Sequence, residues 1–421
     1  MKKVAVIGLG VVGSATAKNL KKFSNIISKR TGIKIKLALI CDIRPNFKNF
    51  AKKLGVPFTT DIKEVLNNPD IDIVVELIGG YEPAGTIIKT ALRNGKDVVT
   101  ANKALLAASG KELFALADSL GRIVGYEAAV CGAIPLIKNI SQSLVGCEVD
   151  SVYGVLNGTT NYILDRMYKD RIDFSEALKQ AQVNGYAEKD SSLDIDGKDT
   201  LHKLCILSYL CFNVWPKYAQ VFTEGISKIS LLDVLYADEL GCKIKLLAIG
   251  KCSGNTVDLR VHPAFVPADK PIGQVDGAYN AVSFKTYPAG NLFFYGEGAG
   301  GTPTSASVIS DIVSIASGQK NVSRKLESVK FKNINDTAAR YYIRFTALDK
   351  PGVLSAVAKI LSEHKISISS VSQKEQCQKK YVPIIMITHK ANERALRAAI
   401  MKIDKLEFIK QPTQLIRIVN C

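Results

Sequence analysis

Val4-Ala5-Val6-Ile7 runs directly into Gly8-Leu9-Gly10-Val11-Val12-Gly13-Ser14, and the reading of this junction decides the fold. The four apolar residues have the pattern of a buried parallel strand, and Ala15, Ala17 and Leu20 continue beyond the glycines as one face of a helix. The glycines thus have G-x-G-x-x-G spacing in the strand-to-helix setting that a dinucleotide requires. Gly8 serves the tight turn, Gly10 lets the backbone approach a pyrophosphate, and Gly13 lets helix and strand pack closely. Amides at the start of the helix, at Val11 and Val12, would hold the phosphates. A glycine-rich turn without a ligand is the alternative. Met1-Lys2-Lys3 before the run and Ala15-Thr16-Ala17 after it also imitate a signal peptide, but the glycine spacing favours strand, turn and helix.

Working outward, a second strand over 35–41 ends in Asp42-Ile43-Arg44. An acid there suits a ribose hydroxyl of NAD, whereas Arg44, or Lys52 and Lys53, suits the 2′-phosphate of NADP, so the cofactor reads as NAD(P). Further strands are expected over 71–77, before Gly79-Gly80, and over 97–100, before Ala101-Asn102-Lys103. Ligands bind at the carboxyl ends of parallel strands, which places Lys103 to face a cofactor; a solvated lysine opening a helix is the plainer alternative.

The chain has 421 residues, 47% of them hydrophobic, with 56 Lys+Arg against 39 Asp+Glu. That composition excludes disorder, and the length calls for more than one domain. The net charge of +17 is divided: residues 1–60 carry +12, residues 61–319 carry −7 and residues 320–421 carry +12. A uniform basic field for nucleic acid is therefore not what the sequence has, and no nucleic-acid partner is expected. No run reaches the length of a membrane span. The nine cysteines are odd in number and lack a C-x-x-C pair, a pattern expected of reduced thiols in a cytoplasmic protein.

Six strings carry a resemblance. ELIGG (76–80), TANKALLA (100–107), YEAAVCGAIP (126–135), LNGTTNYIL (156–164), GYAEKDSSLDIDGKDTLHKLCIL (185–207) and GEGAGGTPTSASVISDI (296–312) together resemble the homoserine dehydrogenases, from the first strand to about residue 318. The resemblance implies NAD(P)-linked interconversion of L-homoserine and L-aspartate 4-semialdehyde, in threonine, methionine and isoleucine biosynthesis. It implies an α/β chain in which a Rossmann-like doubly wound domain (1–135, with 296–318 returning to it) precedes an α+β substrate and dimerisation domain (136–295). It also implies roles for matching residues. Lys203 would be the general acid/base and Lys103 would lie near cofactor and substrate. Glu188 and Asp199 would hold the amino-acid substrate, with Asp194 another acid of the site. Gly185 would touch the cofactor, and Glu127, Val130, Gly132 and Ile134 would bind a monovalent cation, Na+ or K+, largely through backbone carbonyls. Where many relatives have proline after the GYAE acid, this chain reads Asp190-Ser191-Ser192. The monofunctional form, without a kinase region before the first strand, is what the resemblance leads one to expect.

Read without the family, residues 198–212 form a helix apolar on nearly every face, which makes its charges expensive. Asp199 and Lys203 stand i, i+4, acid before base, so their side chains meet; the alternative is a structural ion pair. Glu188, Asp190, Asp194 and Asp196 crowd upstream and call for a cation or an ammonium-bearing ligand. His202 points about 100° away from Lys203 on a helix and reads as a packing residue. The turn Asn157-Gly158-Thr159-Thr160-Asn161 is expected to enter a helix at Tyr162; on the residues alone its Asn and Thr read as a cap, and the resemblance adds substrate bonding by Asn157 and Thr160. Gly296, Gly298, Gly300 and Gly301 precede a helix over 305–315 and suggest a close backbone approach, which the resemblance places, with Gly300, at the cofactor; a flexible loop is the alternative.

After a basic connector (319–339), residues 340–421 read β-α-β-β-α-β, with helices over 353–364 and 392–403 and strands over 342–346, 366–371, 382–388 and 415–419. LDKPGVLSAVAKILSEHKISISSVSQ resembles the ACT domains, which implies an amino-acid effector, threonine, near Gly352 at an interface between two modules, and a homo-oligomer; a purely assembling ACT domain is the alternative. Two further functions stay open on the residues alone: an oxidoreductase for another amino-aldehyde or hydroxy acid, and a non-catalytic NAD(P) and amino-acid sensor.

Overall fold

The apolar runs of the N-terminal third form a six-stranded parallel sheet in the computed structural model, which describes residues 1–319, 324–373 and 380–420. Its strands are β1 (Lys2–Ile7), β2 (Ile35–Cys41), β3 (Phe58–Thr59), β4 (Ile73–Glu76), β5 (Asp97–Thr100) and β6 (Val124–Gly125), in the order 3-2-1-4-5-6. Central β1 pairs with β2 on one side and β4 on the other, so Val4, Ala5 and Val6 are wholly buried, as an uninterrupted apolar strand demands. The order reverses between β1 and β4, the switch point at which such sheets take ligands. β4 is shorter than the expected 71–77 because the chain turns after Glu76, through Gly79 and Gly80 at φ 84° and 75°.

Two compact units divide the chain. The first comprises Met1–Gly158, Lys198–Tyr218 and Ala278–Val329. Besides the parallel sheet it holds an antiparallel set: β7 (Glu148–Val155), then Tyr279–Tyr287, then Gly290–Glu297. The helix Lys198–Phe212 has the expected bounds and is buried at all but two of its fifteen residues, Lys198 and Cys211. It runs into a segment whose Trp215 donates its indole N–H to the Ala107 carbonyl at 3.1 Å, against Gly110 of the helix Lys103–Ser119, where a Cβ would lie 2.4 Å from the Trp215 ring. The helix expected over 305–315 spans Gly301–Ala316, since Pro303 in a first turn forfeits no helical hydrogen bond.

The second unit comprises Thr159–Gly197, Ala219–Gly277 and Lys330–Cys421. The helix expected to begin at Tyr162 begins at Gly158 and ends at Asp170. From Gly158 on, the polar run is thus its first turn, and Thr159 and Asn161 bond outward to other segments. Strands Cys242–Ser253 and Thr256–Pro267 form a long antiparallel hairpin. The C-terminal module follows the expected order: Ala338–Leu348, helix Val353–Glu363, Ile368–Gln373, Tyr381–Thr388, helix Glu393–Ile403 and Ile409–Ile418, with the short strand Ala391–Asn392 added. Its four main strands lie in the sequence last, first, third, second, all antiparallel. The last strand starts earlier than 415 because Pro412 falls in an irregularity of the ladder, where no donor is missed. That strand also pairs in parallel with Thr256–Pro267, Arg417 opposite Ala264. Arg417, 1% exposed, is tolerated there because Glu393 and Glu224 both accept from it.

Candidate active site

The three fingerprint glycines occupy three different physical situations. Gly8 has φ 90°, and a Cβ on it would meet the Leu77 carbonyl oxygen at 2.8 Å. A Cβ on Gly13 would sit 1.8 Å from the Gly8 carbonyl oxygen, so any side chain would force the helix Val11–Lys22 off the turn. At Gly10 a Cβ would touch nothing within 4 Å, leaving open space over the backbone that opens the helix. That combination of closed turn, close packing and an open third glycine fits a pyrophosphate at the helix N-terminus beside the exposed Val11 and the half-buried Val12. Gly301 comes up to the same loop, since its Cβ would lie 2.8 Å from the Val11 carbonyl oxygen, and Gly300 before it has φ 118°.

Asp42 follows β2, and its carboxylate is fully engaged. It accepts from the Leu9 amide at 2.6 Å and from the Arg44 amide, Nε and Nη2 at 2.9 Å each. The Arg44 guanidinium holds this carboxyl down at about 2 despite its burial. Arg44 in turn lies over the Phe47 ring at 4.5 Å with its side chain half exposed. Of the two signals at this strand end, the acid is therefore covered and the base is presented.

Lys103, Asn157, Asp199 and Lys203 meet. Lys203 Nζ is 2.8 Å from Asp199 Oδ2, the i, i+4 contact that the helix spacing predicts. Lys103 Nζ, from the first residue of its helix, is 2.6 Å from Asp199 Oδ1. The Asn157 amide donates to Asp199 Oδ2 at 2.9 Å, and Lys203 Nζ also donates to the Leu156 carbonyl at 2.5 Å. Burial opposes ionisation of Asp199, but the two ammonium groups and the Asn157 amide outweigh it and keep the carboxyl below its ordinary range. One carboxylate thus stands between two cations, and the cluster as a whole is positive. His202 takes no part in it: its ring packs at a tilt against Tyr218 with centroids 5.3 Å apart, and burial lowers its pKa.

Several supports of this cluster were missed by sequence reasoning. Buried Glu76 accepts from the Ile78 and Gly79 amides and from Thr100 Oγ1, joining the ends of β4 and β5. Asn102 caps the helix at the Leu105 amide and donates to the Gly80 carbonyl, which fixes where Lys103 starts. These residues lie in the ELIGG and TANKALLA strings, so the signal was present without an assigned role. Asn280 donates to the same Leu156 carbonyl that Lys203 uses, and nothing in its neighbourhood of sequence marks it.

In the second unit, Thr160 is buried in the first turn of Gly158–Asp170. Gly185, with φ 76°, ends the segment after the helix Phe174–Val183. Thr159 Oγ1 donates to the Tyr186 carbonyl at 2.6 Å, and the Tyr162 and Tyr186 rings pack at 4.5 Å. Glu188 is exposed on the loop that follows, and Asp194 is half-buried in the short helix Ser192–Ile195. In place of a proline, Asp190 Oδ1 accepts from the Ser192 amide and closes the turn.

Glu127, Val130, Gly132 and Ile134 supply only oxygen, the donor type a hard cation takes. The Glu127 carboxylate is spent on the Ile137 and Lys138 amides, and burial with Asp311 nearby raises it to about 7. Gly132 and Ile134 carbonyls accept from Ser307 Oγ and the Leu136 amide, each keeping a lone pair. Backbone carbonyls therefore remain for a cation; among the described residues no group of three or more His, Cys, Asp and Glu could hold a metal. Among the described residues, no helix is long and apolar enough to cross a membrane.

Comparison with known proteins bears on the same regions. The family models described as "Homoserine dehydrogenase, NAD binding domain", "Homoserine dehydrogenase" and "ACT domain" match residues 8–127, 135–313 and 341–408. The homoserine dehydrogenase of Pseudomonas aeruginosa is 40% identical over 428 aligned residues, covering 99% of this chain and 98% of its own. The crystal structure of a homoserine dehydrogenase from Thiobacillus denitrificans superposes with a TM-score of 0.92 at 38% identity, covering 100% of this chain and 98% of that one. A hyperthermophilic archaeal homoserine dehydrogenase in complex with NADPH has a TM-score of 0.64 at 25% identity, covering 75% of this chain and 97% of that one. The parallel sheet with its glycine loop, the buried lysine–aspartate cluster and these matches along nearly the whole length lead to one conclusion: the chain belongs to the homoserine dehydrogenase family and carries a C-terminal ACT domain.

Proposed function

We propose that Lys203 is the acid/base of the homoserine dehydrogenase reaction in this chain, that Lys103 assists it, and that Glu188 and Asp194 receive the α-ammonium of the amino-acid substrate. The observation that supports this reading is the single Asp199 carboxylate held between two ammonium groups on a buried helix. Bound NAD(P) supplies the hydride to the aldehyde carbon, or accepts it from the alcohol. As negative charge grows on the carbonyl oxygen, the Lys203 ammonium stabilises it and delivers a proton; in the other direction neutral Lys203 removes the hydroxyl proton. Asp199, assigned by the resemblance to holding substrate, is here already shared by both lysines. Its role is to fix their ammonium groups, with any hold on the substrate's own ammonium a weaker third contact. Asn157 keeps that carboxylate in place, and Thr160 belongs to the turn that follows.

Arg44, held on a carboxylate that is already saturated, favours the 2′-phosphate of NADP over the bare ribose of NAD, with Gly8, Gly10, Gly13 and Gly300 at the cofactor's pyrophosphate side. A monovalent cation would be held by backbone carbonyls of Val130, Gly132 and Ile134, with Glu127 ordering the loop. The ACT module would take threonine near Gly352, a left-handed residue at φ 89° that opens the helix Val353–Glu363. A cytoplasmic dimer completes the reading: the strand Gly290–Glu297 leaves Phe293 and Tyr295 exposed, as a self-complementary edge would. Initial rates with L-homoserine and each nicotinamide cofactor, with and without threonine, test these points together. Turnover with NADP preferred and depressed by threonine is expected; turnover confined to NAD and indifferent to threonine would refute the cofactor and effector assignments.

A further inference from the structure

Lys245 stands inside the strand Cys242–Ser253 and is 1% exposed. Its Nζ donates to Asn161 Oδ1 at 3.0 Å and to the Val275 carbonyl at 2.5 Å. Among the described residues no carboxylate oxygen lies within ion-pair distance of it, and burial lowers its pKa to about 8, with Asp276, Lys243, Asp165 and Lys169 the charged groups around it. A buried cation without a carboxylate is costly, and an apolar residue of the same length would fill the position more cheaply. What the lysine adds is geometry. Asn161, which accepts from it, turns its own amide to the Val275 and Gly277 carbonyls at 2.9 and 2.8 Å, closing a ring of hydrogen bonds with the strap 275–277. The strap is held again where the Gly277 amide donates to Asp165 at 3.0 Å, and where Asp276 pairs with Lys243 at 2.8 Å and Lys169 at 2.9 Å.

Asn161 lies in the first turn of Gly158–Asp170, and that turn grips the segment leading to Glu188. Thr159 Oγ1 donates to the Tyr186 carbonyl, the Tyr162 ring packs on Tyr186, and Asn184 donates to the Tyr162 hydroxyl at 2.9 Å. We propose that Lys245 is a positioning residue for substrate binding: through Asn161 it fixes the first turn of this helix, and through that turn the loop that presents Glu188. This inference rests on Glu188 as a substrate-binding residue. The network contains no residue of the loop 8–13 and borders only Gly185 among the expected cofactor contacts, so its main effect should fall on the amino acid.

Lys245→Met keeps the length and removes the ammonium. The expected result in the full-length enzyme is a KM for L-homoserine raised about tenfold, with kcat lowered less than about threefold and NADPH affinity, read by fluorescence titration, unchanged within about a factor of two. Faster amide exchange over 185–189 should accompany it. If Lys245→Met does not fold, Asn161→Ala cuts the same bond from the other side and should give the same KM shift. A lowered melting temperature with unchanged KM would reduce Lys245 to a structural residue and overturn the proposal, as would equal losses in substrate and cofactor affinity. Glu188→Gln separates the two readings. An unchanged KM in that variant overturns the Glu188 assignment and this route with it, whereas a raised KM there beside an unchanged KM in Lys245→Met overturns the role of Lys245 alone.

Discussion

Lys203 in the first unit and Lys245 in the second are both buried, and they differ in what stands beside them. Lys203, on a helix, shares the Asp199 carboxylate with Lys103 and also donates to a backbone carbonyl. Lys245, on a strand, has a backbone carbonyl and the oxygen of an amide. Two cations on one anion leave a surplus of positive charge where an oxygen turns negative during hydride transfer, which is useful for chemistry. A cation among neutral acceptors has no such surplus to share, but it aligns three chain segments whose dipoles converge on it. Burial is common to both; the neighbouring carboxylate separates the lysine proposed to react from the one proposed to hold a loop.

Substitutions that break this contrast should differ widely in effect. Lys203→Ala should lower kcat by about 10² to 10⁴, the usual contribution of a positioned acid/base, while NADPH affinity stays within about twofold; steady-state kinetics with a cofactor titration will show it. Asp199→Asn leaves the buried Lys203 ammonium, beside the part-exposed Lys103, without its anion and should cost about 3 kcal/mol of stability along with most of the activity, measurable by urea unfolding. Because Asp199 is held below its ordinary range, its contribution is complete above the unfolded value of about 3.9 and is lost as pH falls through the lowered folded value, so the variant's unfolding free energy should respond less to acid than that of the wild type. Arg44→Ala should raise the KM for NADPH about tenfold and leave that for NADH nearly unchanged, sharpening the reading that the base and not the acid faces the ribose.

The smallest effect concerns Lys245. Its folded pKa of about 8 lies below the unfolded value of about 10.4, so the unfolded chain binds more protons between these limits and stability should rise as pH increases through that window. Lys245→Met should abolish this rise in thermal scans between pH 8 and 10.5. Persistence of the rise would mean that another group is responsible.

Residues whose backbone geometry admits one amino acid were readable from sequence. Gly8 and Gly13 are examples, since no side chain fits either place. The helix Lys198–Phe212 was equally readable, because apolarity on every face implies burial and i, i+4 spacing implies contact. The start of Gly158–Asp170 was not, because Asn, Gly and Thr in sequence signal a turn, and the bonds that Thr159 and Asn161 make to distant segments appear only with the fold. Asn280 and the Glu76–Thr100 pair were silent for a related reason: each is an ordinary polar residue until the fold supplies its partner. Lys245 misleads most. With Lys243 it has the alternation of a solvent-facing strand edge, yet Lys245 faces inward onto Asn161.

The role of Lys203 is tested most directly by single-turnover reduction of L-aspartate 4-semialdehyde on enzyme preloaded with NADPH, comparing wild type with Lys203→Ala. The predicted result is unchanged NADPH binding with a hydride-transfer rate at least about 100-fold slower, following the loss of an acid/base positioned at the reacting oxygen. A single-turnover rate equal to that of the wild type would contradict it and move the acid/base to another side chain.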